Sequence, residues 1–319
     1  MKKIAVLTSG GDAPGMNAAL RAVVRTAIYY GLKVVGVRRG FQGLIDKDFI
    51  HLSLGSVADI IQRGGTILLT ARCEEFYTEE GRQKAFLNMQ EEGIEGLVVI
   101  GGDGSFQGAL EIDKLGIPVI GIPCTIDNDV PCTVATIGFD TVVNTVLDAI
   151  NKIRDTATSH ERVFVIEVMG RKSGFIALKA GLAGGAESIL IPEAPLKVDD
   201  IIKKVQRGLK RGKKHSIIVI AEGAADACEV TKEIETKTGL ETRLSILGYI
   251  QRGGTPTAQD RLLASRMGSE AVNLLMRGQR KKMLALDGEK IRNFDLDWVI
   301  NQSKTVSLED LQLAEILSI

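Results

Sequence analysis

The chain has 319 residues, and its 40 Lys and Arg residues balance its 40 Asp and Glu residues, so the formal net charge is zero. A neutral chain has no global field that would draw it to nucleic acid or to an anionic membrane, and we expect neither as a partner. The length suits one large domain or two ordinary ones, and we predict two.

The start of the chain, MKKIAVLTSGG, has only the apolar run IAVL before its glycines, which is too short for a signal peptide. No later run approaches the about 18 apolar residues of a membrane span. The cysteines, Cys73, Cys124, Cys132 and Cys228, form no CxxC pair, which favours reduced thiols over a disulfide framework or structural zinc. We expect a soluble cytoplasmic protein.

Short apolar runs alternate with amphipathic stretches along the chain. IAVL is followed by NAALRAVVRTAIYYG, and LVVI at 97–100 is followed by SFQGALEIDKLG. This alternation predicts an α/β fold with a largely parallel sheet. Further buried strands are expected at 34–37, 119–123, 163–170, 188–193 and 216–223.

The first apolar run leads into a glycine-rich turn, TSGGDAPGMN. Gly10, Gly11 and Gly15 let the backbone approach a ligand there, and Asn17 is predicted to start the helix that carries Arg21. Helix amino termini bind phosphate through free N–H groups and the helix dipole.

A second glycine turn, GGDGS at 101–105, follows LVVI. Asp103 is expected at its exposed tip, where an acid can hold Mg²⁺ on a phosphate chain, and Ser105 is predicted to cap the next helix. The chain has no Walker A loop, and Gln107 replaces the last glycine that GxGxxG requires.

Either glycine turn alone is more often only tight geometry, but polar residues of catalytic type also follow later runs. These are TIDND after 119–123, MGR after VIEV and Glu222 after IIVIA. Phosphoryl transfer needs backbone cradles, Mg²⁺, cations on the moving group and a carboxylate that accepts the proton of the attacking hydroxyl. The set therefore predicts phosphoryl transfer.

The pentapeptide QRGGT occurs at 62–66 and at 251–255, and both copies are candidates for turns that face a ligand.

The chain resembles the bacterial ATP-dependent 6-phosphofructokinases nearly from end to end. The resemblance rests on LTSGGDAPGMNAA, RGGT, TAR, VVIGGDGS, TIDND, ATIGFDT, NKIRDTATSHER, VMGR, AEG, ETR and QRGGTPTAQDR, in family order and at family spacing. It implies ATP-dependent phosphorylation of fructose 6-phosphate in glycolysis, Mg²⁺ as cofactor, a homotetramer, and ADP or phosphoenolpyruvate as effectors.

The resemblance also implies the architecture. Two doubly wound, mainly parallel-sheet α/β domains would face each other across an active-site cleft. Residues 1–138 plus 251–301 would bind ATP, and residues 139–250 plus 302–319 would bind fructose 6-phosphate.

Roles for individual residues follow from the same resemblance. Asp127 would take the proton from the sugar 1-hydroxyl, Thr125 and Asp129 would orient substrate and metal, and Arg171 would stabilise charge on the transferring group. The ATP pocket would comprise Gly11, Arg72, Cys73, Gly102, Asp103, Gly104 and Ser105, with Asp103 on Mg²⁺. The sugar-phosphate contacts would comprise Thr125, Ile126, Asp127, Met169, Gly170, Arg171, Glu222, Tyr249 and Arg252, with Arg162 and Arg243 reaching in from a neighbouring subunit.

A second, regulatory site is suggested by Arg21 and Arg25, which lie four residues apart and therefore on one helix face. A solvated surface is the usual explanation of such basic pairs. The family's ADP effector site favours a retained regulatory pocket, which would comprise Arg21, Arg25, Arg154, Gly185, Glu187, Arg211, Lys213, Lys214 and His215.

The chain departs from the family pattern at several positions. Cys124 stands where most ATP users have Gly and many pyrophosphate users have Lys, and Tyr249 replaces a usual His. Phe175 replaces an acidic residue and Cys132 a usual Gly. Two alternatives therefore stay open: a pyrophosphate-dependent phosphofructokinase, and a catalytically weak sensor of sugar phosphate or nucleotide.

Overall fold

The structure, a computed structural model, describes residues 1–195 and 197–318, which divide into two compact units. Unit 1 comprises Met1–Ile126, Val130–Thr141 and Arg252–Lys304, and unit 2 comprises Asp127–Asp129, Val142–Gln251 and residues 305–318. The boundaries expected from the resemblance lie at 138/139, 250/251 and 301/302. The assignment of an ATP-binding and a sugar-binding domain stays a prediction.

The strands of the two units follow in chain order. They are β1 (Lys3–Thr8), β2 (Lys33–Val37), β3 (Phe49–Leu52), β4 (Leu97–Gly101), β5 (Val119–Pro123), β6 (Val163–Val168), β7 (Ser188–Leu190), β8 (Ser216–Ala221), β9 (Thr242–Ile246), β10 (Lys282–Asp287) and β11 (Lys290–Asp295).

Helices connect most of these strands. They are α1 (Met16–Tyr29), α2 (Phe41–Asp46), α3 (Glu79–Glu91), α4 (Asp103–Lys114), α5 (Phe139–His160), α6 (Phe175–Ala183), α7 (Val198–Lys210), α8 (Ala227–Thr238), α9 (Ala258–Met276), α10 (Leu296–Val299) and α11 (Leu308–Leu317). Short 3₁₀ turns lie at Gly55–Val57, Glu75–Tyr77 and Gly248–Arg252.

Unit 1 is built on a seven-stranded sheet in the order β11-β10-β5-β4-β1-β2-β3. The five central strands are parallel, and the two edge strands, β3 and β11, pair antiparallel to their neighbours. β4 is buried along its whole length, as expected for a parallel strand with helices on both faces. β4 lies between β1 and β5, and its residue Val99 is opposite Leu7 of β1 and Gly121 of β5.

Unit 2 is built on a four-stranded, wholly parallel sheet in the order β7-β8-β6-β9. One face of β6 and β8 packs with α7 and α8 in a core that includes Val165, Ile220 and Ile234. The predicted α/β class with mainly parallel sheets is therefore confirmed in both units. None of the helices in the described ranges is long and apolar enough to cross a bilayer.

β8 stops at Ala221, two residues before its predicted end, and two other predicted strands, β6 and β7, also end early. β6 stops at Val168, before Gly170, whose φ of 140° takes the chain out of the extended conformation. β7 stops at Leu190, and Pro192, which has no N–H to donate to a ladder, lies in the turn that follows. Both ends therefore become turns at which polar side chains emerge.

The predicted cap of α4 by Ser105 is wrong, and α1 begins at Met16, one residue before the predicted Asn17. α1 begins after Gly15, which adopts a left-handed conformation with φ of 102°, and α4 begins after Gly102; neither glycine has a side chain that could cap. Asn17 instead lies inside α1, where its amide donates to the carbonyls of Arg63 and Gly65 at 3.0 and 2.7 Å. A local pattern of cap residues cannot reveal this use of Asn17, because its partners are more than forty positions away.

The two QRGGT segments contact each other within unit 1. A Cβ built on Gly64 would lie 2.4 Å from the carbonyl oxygen of Gly254, so the two backbones touch where neither residue has a side chain. Asn17 fixes the first copy further, since its side-chain oxygen accepts the N–H of Ile67 at 2.9 Å. Packing thus explains the glycine at position 64, and a φ of 93° favours glycine at position 254.

A buried carboxylate holds the first turn of α5 in unit 1. Asp260 is 1% exposed and accepts the N–H groups of Gly138 and Thr141 at 2.9 and 2.8 Å, and also the Thr141 hydroxyl at 2.6 Å. Burial raises the pKa of Asp260, and these hydrogen bonds oppose that shift. Asp260 therefore caps α5 across more than a hundred residues of sequence.

We predict that Asp260→Ala lowers the free energy of unfolding by about 2–4 kcal/mol, because two buried amide groups lose their acceptor. Asp260→Asn keeps one acceptor oxygen and should cost less. The exposed Asp287, which pairs with Arg292 at 2.7 Å on the surface, supplies a control, and Asp287→Ala should cost at most about 1 kcal/mol. Urea denaturation measures all three. Equal losses for Asp260→Ala and Asp287→Ala would contradict the role assigned to Asp260.

Candidate active site

Three turns adjoin at the carboxyl ends of β1, β4 and β5. The N–H of Ser9 donates to Ile100 at 3.0 Å, and the N–H of Cys124 donates to Gly101 at 2.9 Å. A Cβ on Gly101 would lie 2.6 Å from the carbonyl oxygen of Ser9, so only glycine allows this approach. In open α/β sheets this edge is where ligands bind.

The two glycine turns predicted to bind nucleotide therefore lie side by side. Ser105 is buried, and its hydroxyl oxygen would lie 3.5 Å from a Cβ on Gly10. Asp103, Gly104 and Ser105 form the first turn of α4, where amide groups and the helix dipole favour an anion. Gly102 precedes them and lies near Thr125, whose Cβ is 3.9 Å from a Cβ built on that glycine. This arrangement suits a phosphate chain.

Asp103 is exposed at the start of α4, as the sequence predicted. Within residues 1–195 and 197–318, no group of three or more His, Cys, Asp or Glu side chains is arranged to hold a metal ion. An exposed carboxylate beside a glycine turn that suits phosphate is compatible with Mg²⁺, which proteins commonly bind through one or two carboxylates plus substrate phosphates.

The TAR segment reaches the same edge of unit 1. The hydroxyl of Thr70 donates to the carbonyl of Gly10 at 2.7 Å, which ties this segment to the first glycine turn. Arg72 follows two residues later and is exposed. Cys73 is half-buried against the unit 1 core, and this burial raises the pKa of its thiol.

Cys124 lies inside unit 1 and is only 1% exposed. Burial, with a smaller effect from the charge of Asp260, raises the pKa of its thiol well above the usual range. The thiol is therefore neutral at physiological pH and does not supply the fixed cation that the Lys of pyrophosphate users would supply.

The chain passes from unit 1 to unit 2 and back through the TIDND segment. Thr125 and Ile126 belong to unit 1, and Asp127–Asp129 belongs to unit 2. The Thr125 N–H donates to Ile137 at 3.0 Å, which holds the segment at its unit 1 end, while Ile126 is buried.

Asp127 and Arg171 form an ion pair within unit 2. The Nε of Arg171 lies 3.6 Å from a carboxylate oxygen of Asp127, whose side chain is 5% exposed, whereas that of Arg171 is 63% exposed. The Ser173 hydroxyl donates to the Asp127 carbonyl at 3.1 Å. A buried carboxylate is thus held beside a cation that can still reach a ligand.

Glu222 organises the turn that carries Arg171. One of its carboxylate oxygens accepts the N–H of Arg171 at 2.7 Å and that of Gly170 at 3.2 Å. Arg171 has a φ of 53°, a conformation that non-glycine residues adopt at a cost of about 1–3 kcal/mol. Gly223 accommodates it, because a Cβ there would lie 2.0 Å from the Arg171 carbonyl oxygen. Met169 is fixed separately, since its N–H donates to the buried Gln251 side chain at 3.2 Å.

Glu167 is a neighbour of this turn that the sequence pattern did not identify. It lies half-buried on β6, where burial, followed by the charges of Glu222 and Asp226, raises its pKa. The sequence shows Glu167 only as a polar position in an apolar strand, so it gives no sign that the charges of Glu222 and Asp226 act on this carboxylate.

Arg162 and Arg243 share one partner in unit 2. Nε of Arg162 lies 2.6 Å from Glu241, and Arg243 also pairs with Glu241. Arg162 is the main cause of the lowered pKa of Glu241. Arg162, Arg243 and Glu241 together carry a net charge of one positive unit. Tyr249 lies in the 3₁₀ turn beyond β9 and is 83% exposed. Arg252, which ends that turn, belongs to unit 1.

Most of the predicted effector residues lie in unit 2, and some of them contact each other. Arg154 donates to the carbonyls of Gly184 and Gly185, Lys213 pairs with the buried Glu187, and Lys214 lies 2.6 Å from Glu161. Arg211 is exposed and His215 half-buried in the same segment. Arg21 and Arg25 lie one turn apart on α1 of unit 1.

Residues 3–275 match the family model described as phosphofructokinase. A protein from Halothermothrix orenii named ATP-dependent 6-phosphofructokinase is 63% identical over 331 residues, covering all of both chains. One of the same name from Bacillus subtilis is 58% identical over 319 residues, again covering all of both. Among solved structures, phosphofructokinase from Saccharomyces cerevisiae superposes with a TM-score of 0.90 at 36% identity, over all of this chain and 48% of the yeast chain.

Proposed function

Because the chain belongs to the phosphofructokinase family, we propose that it transfers the γ-phosphoryl group of ATP to the 1-hydroxyl of fructose 6-phosphate, a step of glycolysis in the cytoplasm. The predicted family is confirmed, and so is its enzyme class. The single structural observation that carries the proposal is the buried Asp127 carboxylate held 3.6 Å from Arg171.

Asp127 is proposed as the general base. As the sugar O1 forms its bond to the γ-phosphorus and the bond to the leaving ADP oxygen breaks, the hydroxyl proton passes to the Asp127 carboxylate. Arg171 would stabilise charge on the phosphoryl oxygens, since its side chain is 63% exposed and its backbone is fixed by Glu222. Thr125 and Asp129, which are two residues before and two residues after Asp127 in the sequence, would orient the substrate and the metal.

ATP is proposed to bind the glycine turns of unit 1. Gly11, Gly102 and Gly104 leave the backbone open to the phosphate chain, and Arg72 adds a cation. Asp103 would hold Mg²⁺, which, when bound, would neutralise phosphate charge. The remaining members of the proposed ATP site are Cys73 and Ser105.

Fructose 6-phosphate is proposed to bind residues of unit 2. Met169, Gly170 and Glu222 would contact the sugar, and Tyr249 its phosphate. Arg162 and Arg243 would serve a neighbouring subunit of a homotetramer, and the positive charge that they leave beside Glu241 suits a phosphate dianion.

A regulatory site for ADP or phosphoenolpyruvate is also proposed in unit 2, formed by Arg154, Gly185, Glu187, Arg211, Lys213, Lys214 and His215. Arg21 and Arg25 of unit 1 stay predicted effector residues. The contacts of Arg154 with Gly185 and of Lys213 with Glu187 support it, because they gather two cations and a carboxylate in one part of unit 2.

The donor provides the first test. We expect turnover of fructose 6-phosphate with Mg²⁺ and ATP and negligible turnover with pyrophosphate, measured by a coupled assay. Gly104→Asp should suppress ATP use strongly, because it adds a negative charge where the phosphate chain is proposed to bind. The fold should be retained, since a Cβ at position 104 has open space around it. Cys124→Gly should leave ATP use nearly unchanged, because the Cys124 thiol is buried inside unit 1 and is not expected to contact ATP. Faster turnover with pyrophosphate would favour the pyrophosphate-dependent alternative, and no turnover with either would favour a sensor.

For the base, we predict that Asp127→Ala lowers kcat by roughly 10²–10⁴-fold, the usual contribution of a positioned general base. Binding of a non-hydrolysable ATP analogue should change little, which separates loss of the base from loss of the fold. Near wild-type turnover would remove Asp127 from this role.

For regulation, Lys213→Ala should weaken the response to ADP or phosphoenolpyruvate with little change in kcat, because it removes a cation that pairs with Glu187. Lys210→Ala, at the exposed end of α7, is the matched control and should leave both unchanged. If neither effector binds or changes the rate of the wild type, the pocket has no regulatory function.

A further inference from the structure

Side chains continue the contacts of β6 beyond the end of its backbone ladder. β6 lies between β8 and β9 in the sheet of unit 2. On the β8 side, the N–H of Glu222 donates to the carbonyl of Val168 at 2.9 Å. On the β9 side, the N–H of Leu247 donates to the carbonyl of Glu167 at 3.1 Å. The next three residues of the chain, 169–171, form the turn that carries Arg171.

Each N–H group of this turn is accepted by a side chain that follows a neighbouring strand. The Glu222 carboxylate, after β8, accepts the N–H groups of Gly170 and Arg171 at 3.2 and 2.7 Å. The side-chain oxygen of Gln251, beyond β9, accepts the N–H of Met169 at 3.2 Å. The turn is therefore held from both sides.

Gln251 uses the other end of its amide on the 3₁₀ turn Gly248–Arg252. Its side-chain nitrogen donates to the carbonyl of Gly248 at 3.1 Å. Gln251 is fully buried, whereas Tyr249 and Ile250 in the same turn are exposed. One buried amide thus joins the 3₁₀ turn to the turn after β6.

We propose that Gln251 is a positioning residue of the sugar-phosphate site, which holds the turn at 169–171 and the turn carrying Tyr249 in one arrangement. The inference rests on the proposed function, which assigns Met169 and Tyr249 to fructose 6-phosphate. An amide suits this role because it has both a donor and an acceptor, and so serves an N–H and a carbonyl group at once. Gln251 is fully buried and acts through the two turns.

The first test replaces the amide by an apolar side chain of similar length. Gln251→Met should raise the Michaelis constant for fructose 6-phosphate by roughly 5- to 30-fold, because both turns lose the hydrogen bond that fixes them. The ATP constant and kcat should change by less than about threefold. Glu222 still holds Arg171 in this variant, and the glycine turns proposed for ATP lie in unit 1.

The second test uses Gln251→Glu and its dependence on pH. An ionised carboxylate only accepts hydrogen bonds, whereas a protonated carboxyl also donates one and can replace both contacts of the amide. Burial, together with the carboxylates of Glu167 and Glu222 in the adjoining segments, should raise the pKa of the introduced carboxyl. The fructose 6-phosphate constant, divided by that of the wild type at the same pH, should therefore be high at about pH 8.5 and approach one at about pH 6. This ratio corrects for titration of the sugar phosphate and of Glu167, which are present in both measurements.

Gln62 supplies the matched control in the other QRGGT copy. Its side-chain nitrogen also donates to the carbonyl three residues earlier, that of Asp59 at 2.9 Å, but Gln62 is exposed. Gln62→Met and Gln62→Glu should leave both Michaelis constants unchanged at either pH.

Three results would overturn the inference. The first is an unchanged fructose 6-phosphate constant in Gln251→Met. The second is an equal rise in the ATP constant, since general loosening of the protein would then explain both. The third is a rise in Gln251→Glu that is the same at the two pH values, because a role of the amide hydrogen bonds requires recovery on protonation.

Failure of the proposed function is distinguishable from failure of this inference. Wild type that neither binds fructose 6-phosphate in calorimetry nor phosphorylates it with ATP and Mg²⁺ overturns the function, and the inference with it. If the wild type binds the sugar phosphate, weaker binding by Gln251→Met supports the positioning role even in a protein that does not turn over. Equal binding by the two proteins overturns the inference alone.

Discussion

Parallel pairing of β4 with both β1 and β5 is the constraint on which the proposed donor site depends. Parallel neighbours end at the same edge of a sheet, so the turns after Thr8, Gly101 and Pro123 meet there. They meet closely only because Gly101 has no side chain: a Cβ would lie 2.6 Å from the Ser9 carbonyl oxygen. The open backbone that results is what a phosphate chain requires.

In unit 2 the proposed chemistry depends on a carboxylate that holds a strained backbone. Glu222 accepts two consecutive N–H groups, from Gly170 and Arg171, and thereby supports the positive φ of Arg171. Strain of this kind persists only where surrounding contacts determine it. The Arg171 guanidinium therefore lies 3.6 Å from the buried Asp127 carboxylate and is still exposed. The proposed base and the proposed charge-stabilising cation therefore lie side by side in unit 2.

Long-range polar contacts join segments of unit 1 that sequence patterns treat as independent. Asp260 caps α5 from the first turn of α9, and Asn17 links α1 to the first QRGGT segment. The second QRGGT segment contacts the first through Gly64 and Gly254. Each contact satisfies backbone groups or permits a close approach between segments that are far apart in the sequence.

The sequence by itself determined the α/β class, the strand positions at β1, β4 and β5, and the family, because apolar periodicity and short motifs are local properties of the chain. It also identified Asp103 as exposed at the start of α4. Only the tertiary structure revealed that Gly15 and Gly102 precede the helices, that Asn17 holds a distant segment, and that Gln251 joins two turns of unit 2. The reason is physical: these features depend on which backbone groups meet across tens to hundreds of residues, and no local pattern of side chains records that.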